Sequence, residues 1–153
     1  MIHKNFLIIC ICLCLVNHSF SQLPPSATNS KAYTDWADYD QDGDQDILFS
    51  FIPNGSTVAT TKILINSNGT FTESANAINS NFGRLQWADI DNDGDLDFAQ
   101  IGSNSGIYRN NGGGNFTQST DVIANYQEAM AWGDYDNDGD QDLVVAGTTT
   151  GQY

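Results

Sequence analysis

Three times the chain writes the same nine-residue acidic phrase: DYDQDGDQD at Asp38 to Asp46, DIDNDGDLD at Asp89 to Asp97 and DYDNDGDQD at Asp134 to Asp142. Five aspartates in nine residues repel one another, so a folded turn gathers them only around a compensating cation. Carboxylates at positions 1, 3, 5 and 9 let a short loop curl around one ion. Gly43, Gly94 and Gly139 at position 6 supply a backbone turn that a Cβ would resist, and position 7 offers its carbonyl. All-oxygen ligation without nitrogen or sulfur selects a hard cation, and a flexible, carboxylate-rich site suits calcium better than magnesium. Up to three Ca2+ ions, one per loop, are expected.

An EF-hand begins in the same way but needs a bidentate glutamate at position 12 and a helix on either side. Here position 12 is Phe49, Gln100 or Val145, and the residues after position 9 read ILFSFI, FAQIG and LVVAG. These short apolar runs, rich in β-branched and aromatic residues, have the signature of strands. Asp46, Asp97 and Asp142 therefore close their loops as a strand begins.

The first 21 residues read as an export signal. Lys4 is basic, Phe6 to Val16 is an apolar run too short to span a bilayer, and Ser19-Phe20-Ser21 suits cleavage before Gln22. A membrane anchor is the competing reading of this stretch. All three cysteines and both histidines fall within it. The mature chain then has no cysteine nucleophile, no histidine base, no thiolate or imidazole metal ligand and no disulfide. Lys31, Lys62, Arg84 and Arg109 are its only cations against 19 acidic residues, 15 of them in the three loops. Nucleic acid is a poor partner for such a surface. The expected location is secreted or at the cell surface, with no membrane span once the signal is removed.

The self-similarity extends beyond the loops. A tryptophan precedes each loop by two residues (Trp36, Trp87, Trp132), at intervals of 51 and 45 residues. NSNGTFTES (Asn66 to Ser74) aligns with NNGGGNFTQS (Asn110 to Ser119), and Phe71 to Trp87 and Phe116 to Trp132 are both 16 apart. The six-residue difference between repeats thus falls between Asp46 and Phe71, where Pro53-Asn54-Gly55-Ser56 reads as an enlarged surface hairpin. Asn-Gly at 54, 68 and 111 fits hairpin turns. Each repeat holds four strands: one bearing the tryptophan, one after the loop, one at Ile63 to Asn66 or Ile107 to Asn110, and one at Thr70 to Ser74 or Asn115 to Ser119. No segment has a sustained helical period. Four antiparallel strands per repeat of this length is the plan of a β-propeller blade. The expected fold is all-β, a partial β-propeller of two full blades plus part of a third, with the tryptophans packing between blades rather than stacking on sugars. The expected divisions are 1–21 signal, 22–35 N-terminal segment, 36–86 first repeat, 87–131 second repeat and 132–153 a truncated third.

The loop DxDxDGxxD followed by an apolar strand, with the NNGxGxF turn downstream, resembles the FG-GAP or VCBS-type repeats of integrin alpha-subunit propellers and of many secreted bacterial proteins. That resemblance implies a calcium loop between the first and second strands of each blade. It also implies the ligand sets Asp38, Asp40, Asp42, Asp44 and Asp46; Asp89, Asp91, Asp93, Asp95 and Asp97; and Asp134, Asp136, Asp138, Asp140 and Asp142, with Asp44 acting through its backbone. Propellers close with at least four blades, so further blades are expected from a longer chain, and otherwise from self-assembly.

The leading expectation is a secreted, calcium-stabilised module for adhesion or for recognition of an extracellular protein or glycan, without enzymatic activity. A polysaccharide lyase or glycoside hydrolase is the alternative. Its acids would come from Asp35, Glu73, Asp121 and Glu128, the only acidic residues outside the loops. A structural spacer with no ligand is the third reading.

Overall fold

The computed structural model describes residues 32–52, 58–76, 78, 80, 82–102, 105–121, 123 and 128–148. The expected signal segment, Pro53 to Ser56 and the last five residues lie outside this set. Within it, every regular element is a strand.

The first sheet is an antiparallel meander of β1 (Ala32–Ala37), β2 (Asp46–Phe51), β3 (Thr60–Ser67) and β4 (Thr70–Glu73). The second repeats it with β5 (Gly83–Ala88), β6 (Asp97–Gly102), β7 (Gly106–Asn110) and β8 (Phe116–Gln118), and a third begins with β9 (Ala129–Gly133) and β10 (Asp142–Ala146). The register is equivalent in all three: Trp36 faces Ile47, Trp87 faces Phe98 and Trp132 faces Leu143. Each acidic phrase therefore joins the first strand of a sheet to the second, with its ninth aspartate opening the second strand. Asn68 and Gly69, at φ of 51° and 84°, make the tight turn expected between β3 and β4. The β7–β8 hairpin forms as expected but with a wider loop, in which Gly112, Gly113 and Gly114 all adopt positive φ.

The enlarged connection in the first repeat runs from the end of β2 at Phe51 to the start of β3 at Thr60, whereas β6 and β7 are joined by residues 103–105 alone. β2 and β6 are buried along their length except for the last residue. They read as continuous apolar runs because both of their faces are covered.

The core lies between the first two sheets. Leu48 and Ile63 of the first, with Ile78 of the connecting segment, pack with Leu85, Trp87, Phe98 and Tyr108 of the second. Tyr39, from the first acidic loop, stacks on Trp87 with ring centroids 5.5 Å apart and lies 6.2 Å from Phe116. Phe98 and Tyr108 stack in parallel at 4.6 Å. Burying such aromatic and aliphatic area is the main force that sets one sheet on the next. Trp87 is thus the inter-blade tryptophan the repeat calls for. Trp36 differs: it is 46% exposed and meets Phe71 of its own sheet edge-on at 6.4 Å. Its position in the repeat is the same, but no preceding loop covers it among the described residues.

Candidate metal centres

The three loops fold alike. In each, the backbone N–H of the position-6 glycine donates to the first aspartate, Gly43 to Asp38, Gly94 to Asp89 and Gly139 to Asp134, all at 3.1 Å. The N–H of position 7 donates to the fifth-position carboxylate at 2.9 Å in every loop: Asp44 to Asp42, Asp95 to Asp93 and Asp140 to Asp138. The glycines sit at φ of 93° to 97°, a region that a Cβ strains. Position 4 is also left-handed: Gln41, Asn92 and Asn137 lie at φ of 61°, 56° and 61°. The sequence reading missed this second bend, although asparagine at two of the three positions is the residue type that tolerates it best.

The ninth aspartate fastens the loop to the sheet. Asp46 accepts the N–H of Tyr39 at 2.8 Å and that of Asn66 at 2.7 Å; Asp97 accepts those of Ile90 at 3.1 Å and Asn110 at 2.7 Å. Both carboxylates are fully buried. Asn66 and Asn110 hold the outer hairpin to the same place. Their side-chain amides donate to the carbonyls of Gln45 and Leu96, and their amide oxygens accept N–H groups of the next turn, from Gly69 or from Gly112 and Gly114. The repeated asparagine of the NSNG and NNGG phrases is therefore a latch between the acidic loop and the third strand.

Carboxylate oxygens of Asp38, Asp40 and Asp42 converge within 4.8 Å of one another, as do those of Asp89, Asp91 and Asp97, and those of Asp134, Asp136 and Asp142. The convergent set thus uses positions 1, 3 and 5 in the first loop and 1, 3 and 9 in the other two. Asp93 and Asp138 turn an oxygen to the backbone N–H of position 7. Asp44 accepts the N–H of Asn68 at 2.6 Å and Asp140 the side-chain amide of Asn92 at 2.7 Å. Those two position-7 side chains are engaged outside the cluster, which leaves the backbone carbonyl as that position's available donor.

A hard divalent cation fits these groups. The donors are all oxygen, and Asp38 Oδ1 is buried with no hydrogen-bond partner while its other oxygen holds Gly43. An oriented, desolvated carboxylate oxygen of this kind is costly without a positive counterpart. Asp40 titrates above the ordinary carboxylate range, through desolvation first and then through the charges of Asp46 and Asp42. Burial likewise raises Asp97, against the lowering effect of its backbone donors.

Among the described residues, the second loop has a feature the others lack. Arg109, on β7, places Nη1 3.1 Å from Asp91 and 3.8 Å from Asp97, and Nη2 3.9 Å from Asp121. The first repeat has Ile65 at the corresponding position, one residue before the latch asparagine.

The four acids outside the loops occupy separate elements. Asp35 on β1 accepts the N–H of Trp87 at 2.8 Å, Glu73 on β4 pairs with Lys62, Asp121 follows β8 and accepts the Ser119 hydroxyl at 2.6 Å, and Glu128 precedes β9. Asp35, Glu73 and Asp121 are thereby used in joining strands and sheets.

Meandering four-stranded sheets, packed face to face with an acidic loop at the same corner of each, define an open segment of a β-propeller. The chain matches the FG-GAP-like repeat family over residues 38–100 and 89–145 and belongs to it. Comparison with curated proteins and with solved structures returned no match.

Proposed function

We propose that this chain is an exported, calcium-stabilised propeller module that presents its blades to an extracellular protein or glycan. The observation that supports the calcium reading most directly is the threefold recurrence of a convergent carboxylate trio in loops with the same backbone hydrogen bonds. The first loop would hold the ion through Asp38, Asp40 and Asp42 with the Asp44 carbonyl and Asp46. The second would use Asp89, Asp91, Asp93, Asp95 and Asp97, and the third Asp134, Asp136, Asp138, Asp140 and Asp142. When bound, calcium offsets the mutual repulsion of these carboxylates and pins the turn between the first two strands, so local folding and ion binding are linked. Extracellular modules bind calcium at roughly 0.1 to 1 mM, so such loops fill outside the cell and stay nearly empty within it. Among the described residues no helix is long and apolar enough to cross a membrane.

The recognition role rests on family membership and on the dispersal of the remaining acids over separate elements. FG-GAP-type repeats are generally non-catalytic modules. The test has two parts. Thermal melts with calcium and with a chelator should differ by well over 5 °C, and superimposable curves would reject calcium stabilisation. Glycan and extracellular-matrix arrays probed in calcium should then give saturable binding; empty arrays beside a large calcium shift would point to a structural spacer.

A further inference from the structure

The first strand of each sheet lies at one edge, and β1, β5 and β9 approach one another across successive sheets. They are thus the inner strands, which in a propeller line the central channel. Between them is a cleft of about 220 Å³. Further blades around the same axis leave a channel-facing cleft of this kind open. It stands apart from the acidic loops: Arg84, which lines it, is five residues before Asp89, about 16 Å along an extended strand and beyond the screening length at physiological salt.

The polar groups of the cleft are sorted by type. Arg84 is the donor at one end. Among the described residues Lys62 pairs with Glu73 and Arg109 with Asp91, but Arg84 forms no ion pair. Its Cζ lies 5.3 Å from the centre of the Tyr33 ring, itself backed by Phe82 at 5.2 Å, so a cation–π contact holds the guanidinium while its N–H edge stays available. Acceptors occupy the other end. Asp35 uses one carboxylate oxygen on the N–H of Trp87 and has no hydrogen bond to the second among the described residues. Gln86 has an Oε1 without a hydrogen-bond partner, so its amide gains by turning to a hydroxyl. Arg84 and Gln86 are two apart on β5 and share a face, which sets donor and acceptors about 7 Å apart. Leu85 and Met130 add an apolar wall.

We propose that this cleft binds a sugar carboxylate, the hexuronate unit of an acidic glycan. A planar guanidinium takes a carboxylate through two parallel N–H bonds. A hexuronate carries that group on one side and hydroxyl donors across the ring, while its C–H face suits the apolar wall. A neutral hexose has nothing to pair with Arg84, phosphate is too short to reach the acceptors from it, and a glutamate side chain brings a carboxylate without hydroxyls. The cleft is smaller than a drug-sized pocket, which limits recognition to a single unit. The proposal names the glycan of the recognition reading and rests on that reading, not on the calcium one.

Titration calorimetry on the full mature chain in saturating calcium tests it, with methyl glucuronide, its carboxyl methyl ester and methyl glucoside as probes. The glucuronide should bind saturably, and the ester and glucoside about 10-fold more weakly or worse. Arg84→Gln should weaken the glucuronide by about 10-fold, and Gln86→Leu by about 3- to 10-fold. Both variants should melt with the wild type, since Arg84 is exposed, Gln86 is half-buried and neither touches a loop carboxylate. No glucuronide binding, or binding equal to that of the glucoside, or binding unchanged by Arg84→Gln, would overturn the proposal. So would inorganic phosphate or a glutamate dipeptide that displaces the glucuronide at equal concentration. Glycan-array binding that survives Arg84→Gln would overturn this site and leave glycan recognition standing, whereas empty arrays together with absent glucuronide binding would remove both.

Discussion

Arg109 is the residue that makes the three loops unequal. Its guanidinium lies against Asp91 and Asp97, two of the three carboxylates that converge in the second loop. It serves there as a fixed counter-charge and as a competitor for any second cation. Arg109→Leu, which mimics Ile65 of the first repeat, should raise the calcium affinity of the second loop by about 3- to 10-fold. The same change should lower stability in chelator by about 1 kcal/mol. Calcium titration calorimetry and urea denaturation check the two halves, and an unchanged titration would show that the guanidinium does not oppose the ion. Gly94 poses a conformational question instead. At φ of 93° a Cβ would meet nothing within 4 Å, so the cost of Gly94→Ala is backbone strain alone, about 1–2 kcal/mol by urea denaturation.

At the scale of the strand and sheet, the tryptophans give the clearest contrast. Trp87 is buried against Tyr39, Phe98 and Phe116, whereas Trp36 occupies the same repeat position at the open face. Trp87→Ala should therefore cost about 3–5 kcal/mol, and Trp36→Ala less than half of that, measured on the same denaturation curve. Equal losses would mean that Trp36 is covered in solution. The latch is a second element-scale device. Asn110→Ala removes acceptors for Gly112 and Gly114 and the donor to Leu96, at an expected cost of about 1–3 kcal/mol. Amide exchange should rise together in the second loop and the β7–β8 hairpin, because that side chain joins them.

For the whole molecule, the carboxylates set the response to pH. Asp40 and Asp97 have folded-state pKa values raised above the ordinary range, by desolvation and neighbouring charge for Asp40 and by burial for Asp97. The metal-free folded chain therefore holds these protons more tightly than the unfolded chain. Their contribution to stability is present at acid pH and is lost as pH rises through the raised folded values. In chelator the melting temperature should rise as pH falls from neutral towards about 4–5. In saturating calcium it should fall over the same range, since the ion requires the ionised carboxylates. Melts at several pH values in both conditions check this, and parallel slopes would show that the loops do not couple protons to calcium.

The strands, their order and the place of each acidic loop were legible from the chain because the information is local and repeated. A glycine at position 6, an apolar run after position 9 and asparagine-rich turns each act within a few residues, and three copies confirm one another. That carboxylates of each phrase converge was legible for the same reason, but not which three do so: positions 1, 3 and 5 in the first loop and 1, 3 and 9 in the other two. What the chain alone left hidden depends on which surfaces meet. Asp46 and Asp97 reach backbone groups 20 and 13 residues away on the third strand, Arg109 enters a loop 18 residues before it in sequence, and Tyr39 covers a tryptophan of the next repeat. Identical residue types also acquire different fates. Trp87 is core and Trp36 is surface, and Tyr39 is packed where Tyr135 is bare, because burial belongs to the neighbour as much as to the residue. Sequence determined the repeating unit, and tertiary packing decided which of its equivalent side chains are buried by a neighbouring sheet and which are exposed.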